Sequence, residues 1–253
     1  MWNIQIFAEL PSTQTLARER LSSGKAKHGD VIVALHQTGG KGRYENRIWH
    51  DEAGANLLMT IILTEIPAPF ADKMQFITAL SVLAAIRSLL GNEIRAFAPE
   101  RVRLKWTNDI LIDGKKISGV LSEAIWSGST MKGAAIGIGI NINQDHFSGP
   151  LAYHAISLKH ILQYSIPLQR ARDVVLAALE YTLAHYSSTA ILVDDIRTEL
   201  EWMYGIEYLS LTEPDGTKAE GLRYDGITDD GALRTIAPDG SLHIYQNATL
   251  HFA

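Results

Sequence analysis

Arg103-Leu-Lys-Trp-Thr-Asn-Asp-Ile-Leu-Ile-Asp-Gly-Lys-Lys-Ile-Ser-Gly-Val-Leu121 reads as two strands joined by a tight turn. Asp113-Gly114 between apolar runs is a strong signal for a two-residue hairpin. That register sets Ile112 opposite Lys115, Leu111 opposite Lys116, Asp109 opposite Ser118 and Asn108 opposite Gly119. Directly opposed residues share a sheet face, and so do alternate residues along a strand. Regular alternation then puts Asp109, Leu111, Lys116 and Ser118 on one side, a carboxylate beside a lysine. Read alone, Lys115-Lys116 is a solubilising pair beside a turn, and Lys105 a solvated strand charge.

Further along, Ala134-Ala-Ile-Gly-Ile-Gly-Ile-Asn-Ile-Asn143 alternates strictly. Ile136, Ile138, Ile140 and Ile142 share one face, and Gly137, Gly139, Asn141 and Asn143 the other. Glycine inside a strand often marks a close approach to the backbone. The glycine face packs under a bulky neighbour or floors a ligand slot ending at Asn141; periodicity does not choose between them.

Upstream, Val31–Leu35 and Asn56–Leu63 are strand-like, and Pro67 and Pro69 end the second. Ser12-Thr-Gln-Thr15 offers hydroxyl N-caps for a helix that Gly24 ends. Helical spacing from Lys73 to Leu90 predicts a helix capped by Gly91. Two more helices are expected near Leu168–Tyr186 and Asp194–Tyr204. Strands in the middle with helices on the flanks give an α+β class rather than regular βαβ alternation. After Gly205, three Asp-Gly turns (Asp215-Gly216, Asp230-Gly231, Asp239-Gly240) separate short alternating segments. That spacing describes a small SH3-like β-barrel, so residues 1–205 and 206–253 are expected to form two domains.

The cationic glycine loop is Gln37-Thr-Gly-Gly-Lys-Gly-Arg-Tyr-Glu-Asn-Arg-Ile-Trp49. Gly39, Gly40 and Gly42 let a ligand approach the main chain, and Lys41, Arg43 and Arg47 supply donors for carboxylate or phosphate. It is an anion-wrapping loop or a mobile surface loop, and not a P-loop, whose spacing is absent. The net charge of −5 argues against general nucleic-acid affinity, so the basic loop is a local feature. With no cysteine, thiolate catalysis, disulfides and Cys-metal sites are excluded. The nine histidines lack zinc-ligand spacing, and there is no Gly-x-Ser-x-Gly elbow. No signal peptide is apparent, no apolar run approaches bilayer-spanning length, and a cytoplasmic protein is expected. The remaining set suits chemistry in which anions are gathered and charge is stabilised electrostatically.

In this order the segments resemble the biotin protein ligases. The matches are Ser12-Thr13, the loop Gln37–Arg43 with Trp49, Gly54-Ala-Asn-Leu57, Lys105-Trp-Thr-Asn-Asp109, Lys116-Ile-Ser-Gly-Val-Leu121, Gly137-Ile-Gly-Ile-Asn141 and Ser157-Leu158. The resemblance implies a class II synthetase-like catalytic domain, with a central mixed sheet flanked by helices, and a small C-terminal SH3-like barrel. It implies attack of the biotin carboxylate on the α-phosphate of ATP with Mg2+ assistance, then transfer from biotinyl-5′-AMP to a lysine of a biotin carboxyl carrier protein.

By resemblance, Arg43 and Lys41 close over biotin and the adenylate, while Gly40, Gly42 and Trp49 complete the loop. Lys116 holds carboxylate and phosphate oxygens. Ser12, Thr13, Gln37 and the Gly119 backbone hold the biotin rings, and Gly137 and Gly139 lie close to the ligand. Asn108 and Asp109 orient phosphates or the metal, and Asn141 contacts the nucleotide. Ser12-Thr13 lies too near Met1 for an N-terminal helix-turn-helix, so no DNA partner is expected; no membrane partner is expected either, and a homodimer stays open.

Three departures stand out. Lys41 replaces the usual arginine, Thr107 replaces a proline, and an extra residue near Glu45 and Arg47 lengthens the loop. The competing assignments are a lipoate ligase on the same fold and a non-catalytic biotin sensor.

Overall fold

The computed structural model describes residues 2–44, 48–93, 98–149, 151–206 and 208–252; Glu45 and Arg47 lie outside the described residues. The chain divides into two compact units, Met1–His185 and Tyr186–Ala253.

In the first unit the elements run β1 (Asn3–Phe7), α1 (Thr13–Ser22), β2 (Asp30–Ala34), β3 (Gly40–Lys41), β4 (Ile48–Trp49), β5 (Leu57–Leu63), α2 (Met74–Glu93), β6 (Val102–Lys105), β7 (Asp109–Ile112), β8 (Lys115–Ser127), β9 (Thr130–Ile140), α3 (Leu151–His154), α4 (Leu158–Leu162) and α5 (Leu168–His185). Seven strands form one mixed sheet in the order β1-β2-β5-β9-β8-β7-β6. The β1–β2 pair is parallel and the other neighbours are antiparallel. Every residue of β2 and β5 is buried, which explains why these strands read as continuous apolar runs. Each fully buried Ile or Leu there contributes roughly 1.5–3 kcal/mol relative to exposure. Ala17 and Leu21 of α1 pack on Ile32, Ile62 and Ala135 of three adjacent strands. Helix α2 packs along α5 and against β6, β7 and β8.

Two expectations about α2 are corrected. The helix continues through Gly91 to Glu93, because Gly91 stays helical and no glycine with positive φ ends it there. Met74–Gly91 is also long and apolar enough to cross a bilayer by length and composition, contrary to the sequence expectation. Two-thirds of its residues are buried inside the protein, as befits a core helix.

The Asp113-Gly114 turn forms as expected, with φ of 50° and 78°. Ile112 pairs with Lys115 and Leu111 with Lys116, but then the register shifts. Ile110 opposes Ser118 and Asp109 opposes Gly119, leaving Ile117 as the extra residue of a β-bulge. Ser118 therefore leaves the Asp109–Lys116 face, and Gly119 joins it. Asn108 instead pairs with Val120, through Val120 N–H to Asn108 O at 3.0 Å and Asn108 Nδ2 to Val120 O at 2.9 Å.

The second unit holds α6 (Thr189–Leu200), a 3-10 turn (Glu201–Gly205), and strands β10 (Leu209–Thr212), β11 (Lys218–Ile227), β12 (Leu233–Ile236), β13 (Leu242–Tyr245) and β14 (Thr249–Phe252). The strands form an antiparallel sheet ordered β13-β12-β11-β10-β14, the SH3-like pattern expected. Gly216, Gly231 and Gly240 have φ of 87–91° in the predicted Asp-Gly turns. Helix α6 starts five residues earlier than expected because Ser188, not Asp194, caps it, accepting from Ala190 N–H at 3.2 Å. The compact division falls before this helix, about twenty residues ahead of the texture change at Gly205. The 3-10 turn joins the sheet through Trp202 against Phe252, with ring centroids 5.3 Å apart, and Tyr204 against Tyr224, at 4.8 Å.

Candidate active site

A cavity on one face of the large sheet gathers most of the residues singled out in the sequence. Ser12, Thr13, Gln37, Lys41, Gly42, Arg43, Trp49, Asn108, Lys116, Gly119, Gly137 and Gly139 line it, joined by Gln14, Leu58, Met59 and Thr60. Three expected residues stand off the wall. Gly40 pairs with Trp49 across β3–β4, and a Cβ there would lie 2.7 Å from the Trp49 carbonyl. Asp109 sits behind Lys116. Asn141 is buried and donates its amide to the Ile156 carbonyl at 3.1 Å, so it braces the chain leading to α4.

The floor is a pair of glycines. Gly119 of β8 and Gly139 of β9 face each other across the strands, and the Trp49 indole lies on both. A Cβ on Gly139 would come within 2.8 Å of the indole, and one on Gly119 within 3.1 Å of Lys116 Nζ. Of the two alternatives left open for this face, the packing under a bulky neighbour is observed; Gly137 and Gly139 also line the cavity, but Asn141 does not end it.

One end of the slot is built by α1. Ser12 takes the N-cap backbone position, yet its hydroxyl makes no capping bond. The cap comes from Gln37, whose Oε1 accepts from Thr13 N–H at 2.7 Å and from the Thr13 hydroxyl at 3.1 Å. Ser12 Oγ is buried with no partner among the described residues, and so is Trp49 Nε1. Orphaned buried polar atoms on a cavity wall are the signature of a site that a polar ligand completes.

The other end carries the charge. Lys116 Nζ lies 2.6 Å from Asp109 Oδ1 and 5.6 Å from the centre of the Trp49 ring. Lys105 Nζ lies 4.0 Å from the other Asp109 oxygen. Burial alone pushes the Asp109 carboxyl up, but Lys116, Lys105 and Arg43 together hold it below the ordinary carboxylate value. Arg43 donates to the Thr107 hydroxyl at 2.5 Å, and its guanidinium lies 5.7 Å from the Trp106 ring centre. Burial lowers the Arg43 pKa, opposed by Tyr44 and Asp109. Among the described residues no group of three His, Asp or Glu side chains could hold a metal. With both oxygens of Asp109 facing lysines, these residues do not form a Mg2+ cage.

The glycine loop is clasped at its base. His36, just past β2, meets Asp51, just past β4, at 2.9 Å. That hydrogen bond, against the effect of burial, raises the His36 pKa above its ordinary value.

Sequence reasoning missed Gln14 and Thr60. Thr60 carried a signal, as the polar residue inside the apolar strand Leu57–Leu63. Its hydroxyl lies 2.9 Å from Thr13 Oγ1 and 3.2 Å from Gln14 Oε1.

Residues 6–141 match the model of the biotin/lipoate A/B protein ligase family. The chain belongs to that family. It is 40% identical over 243 residues to the bifunctional ligase/repressor BirA of Bacillus spizizenii, covering 93% of this chain and 70% of that protein. It is 28% identical to the biotin–[acetyl-CoA-carboxylase] ligase of Paracoccus denitrificans, covering 91% and 94%. The chain spans about half the length of other family relatives, such as the 54% covered of BirA from Escherichia coli. The fold is that of the biotin protein ligase from Aquifex aeolicus solved with biotin and ATP, with a TM-score of 0.78 at 23% identity over the full length of both chains.

Proposed function

We propose that this family member activates biotin with ATP and transfers it to a lysine of a biotin carboxyl carrier protein. The observation that carries the reading is the slot itself. It runs from the unmatched Ser12 hydroxyl, over paired glycines, to the ammonium of Lys116 and the guanidinium of Arg43. A neutral polar ring fits the first end and a carboxylate the second.

Bringing a carboxylate to a polyphosphate sets two anions against each other, and fixed cations lower that repulsion in a partly dry site. Lys116 contacts the carboxylate and the α-phosphate, and Asp109, 2.6 Å from its ammonium, keeps it aimed. Arg43, released from Thr107, closes on the same oxygens. The carboxylate oxygen bonds to the α-phosphorus as the bond to pyrophosphate breaks. In the second step a neutral lysine amine of the carrier bonds to the acyl carbon, AMP leaves, and the amine loses a proton. Trp49, drawn off the glycine floor, covers the anhydride from water. A co-substrate of ATP and a chain without cysteine suit a cytoplasmic enzyme.

The test is ATP–pyrophosphate exchange with biotin or lipoate as the acid. Exchange that depends on biotin is expected. Biotin binding without exchange would make the chain a sensor, and exchange with lipoate alone would move it to the other branch of the family.

A further inference from the structure

Gln14 is buried on the cavity wall with a fixed orientation. Its Nε2 donates to Glu123 Oε2 at 2.7 Å and to the Ala135 carbonyl at 3.1 Å. Both partners only accept, so turning the amide over would set its oxygen against two others. Gln14 Oε1 therefore faces Gly137, where a Cβ would lie only 2.7 Å away. The Thr60 hydroxyl is 3.2 Å from this oxygen, which leaves a lone pair free. Glu123 stands outside the cavity wall, and Arg18 lies 3.5 Å from its other oxygen.

We propose that Glu123 is a positioning residue for substrate selection: by locking the Gln14 carboxamide with its oxygen toward the slot, it makes the site demand an N–H donor from the ring of the bound acid. The proposal rests on the biotin reading, since a cyclic urea carries such donors and a dithiolane ring does not. A site built to bond a substrate N–H rejects the analogue lacking it, because the buried acceptor is then left unpaired.

The test is ATP–pyrophosphate exchange by the full chain with biotin and with the two ring analogues in which one urea N–H is replaced by oxygen. Wild-type exchange with biotin checks the underlying reading, and its absence removes that reading and this inference together. Given exchange, Gln14→Met is expected to raise KM for biotin about tenfold, one hydrogen bond's worth, with kcat and KM for ATP within about twofold. The preference for biotin over one of the analogues narrows by the same factor. Glu123→Ala moves both quantities in the same direction by about fivefold, and adds nothing to the preference in the Gln14→Met background. A raised KM with the preference intact, effects that simply add in the double variant, or no change in Glu123→Ala would each overturn the assignment and leave Glu123 as a structural partner of Arg18.

Discussion

The carboxamide oxygen of Gln37 accepts the Thr13 backbone N–H at 2.7 Å, twenty-four residues away in sequence. It does for α1 what a capping hydroxyl usually does, and so leaves Ser12 Oγ for a ligand. Gln37→Ala should then cost about 1 kcal/mol in urea unfolding, the scale of a lost cap, as well as raising KM for biotin. Unchanged stability with a raised KM would mean that Gln37 acts on the ligand alone.

Gly139→Ala should displace Trp49, because the new methyl lies within 2.8–3.1 Å of three indole atoms. The expected result is a red-shifted tryptophan emission and a loss of biotin-dependent exchange of about 100-fold, with the sheet intact by circular dichroism. Retained activity would show that the indole has room elsewhere.

Lys116→Met should abolish adenylation and leave Asp109 poorly compensated. Lys116 is 38% exposed on its side chain, so the loss of stability is about 1–2 kcal/mol, below that of a fully buried pair. Asp109 titrates below its ordinary value of 3.8, so its stabilising effect is present above that value and fades as pH falls through the folded-state pKa. Without Lys116 the depression shrinks, and acid unfolding should begin at higher pH. Asn in place of Asp109 in the same variant should restore stability but not exchange.

The His36–Asp51 clasp has the opposite sign. The His36 pKa is raised from 6.5, so its contribution is complete below that value and disappears as pH rises through the folded-state pKa. The difference in urea midpoint between wild type and His36→Gln should therefore shrink between about pH 6 and pH 9. A difference that stays constant across this range would show that the clasp does not depend on imidazole charge.

Much of the fold could be read directly. The Asp113-Gly114 turn, the alternation around Gly137 and Gly139, and the three Asp-Gly turns of the small sheet all follow local rules, whereas the hairpin register beyond Lys116 does not, because of the bulge at Ile117. The site was legible as a set of segments, because Ser12-Thr13, the glycine loop and the Lys116 hairpin each carry unusual residue types. What local rules could not supply were long-range assignments. Gln37 rather than Ser12 caps α1, and Gln14 reaches Glu123 over 109 positions. Nor does anything near Asn141 in sequence reveal that its amide is committed to the Ile156 carbonyl.

The bulge at Ile117 also bears on how such a site can be recognised. Lys116 and Gly119 are three positions apart, an odd separation that a regular strand would send to opposite faces. Both nonetheless lie against the Trp49 indole, Lys116 Nζ 5.6 Å from its ring centre and Gly119 where a Cβ would come within 3.2 Å of it. The Lys-x-x-Gly spacing is therefore itself a mark of broken parity. Wherever two residues an odd count apart along one strand must meet a common ligand, an extra residue between them is to be expected; here it is Ile117, whose side chain is fully buried in the core while its carbonyl accepts the Asn141 N–H at 2.9 Å.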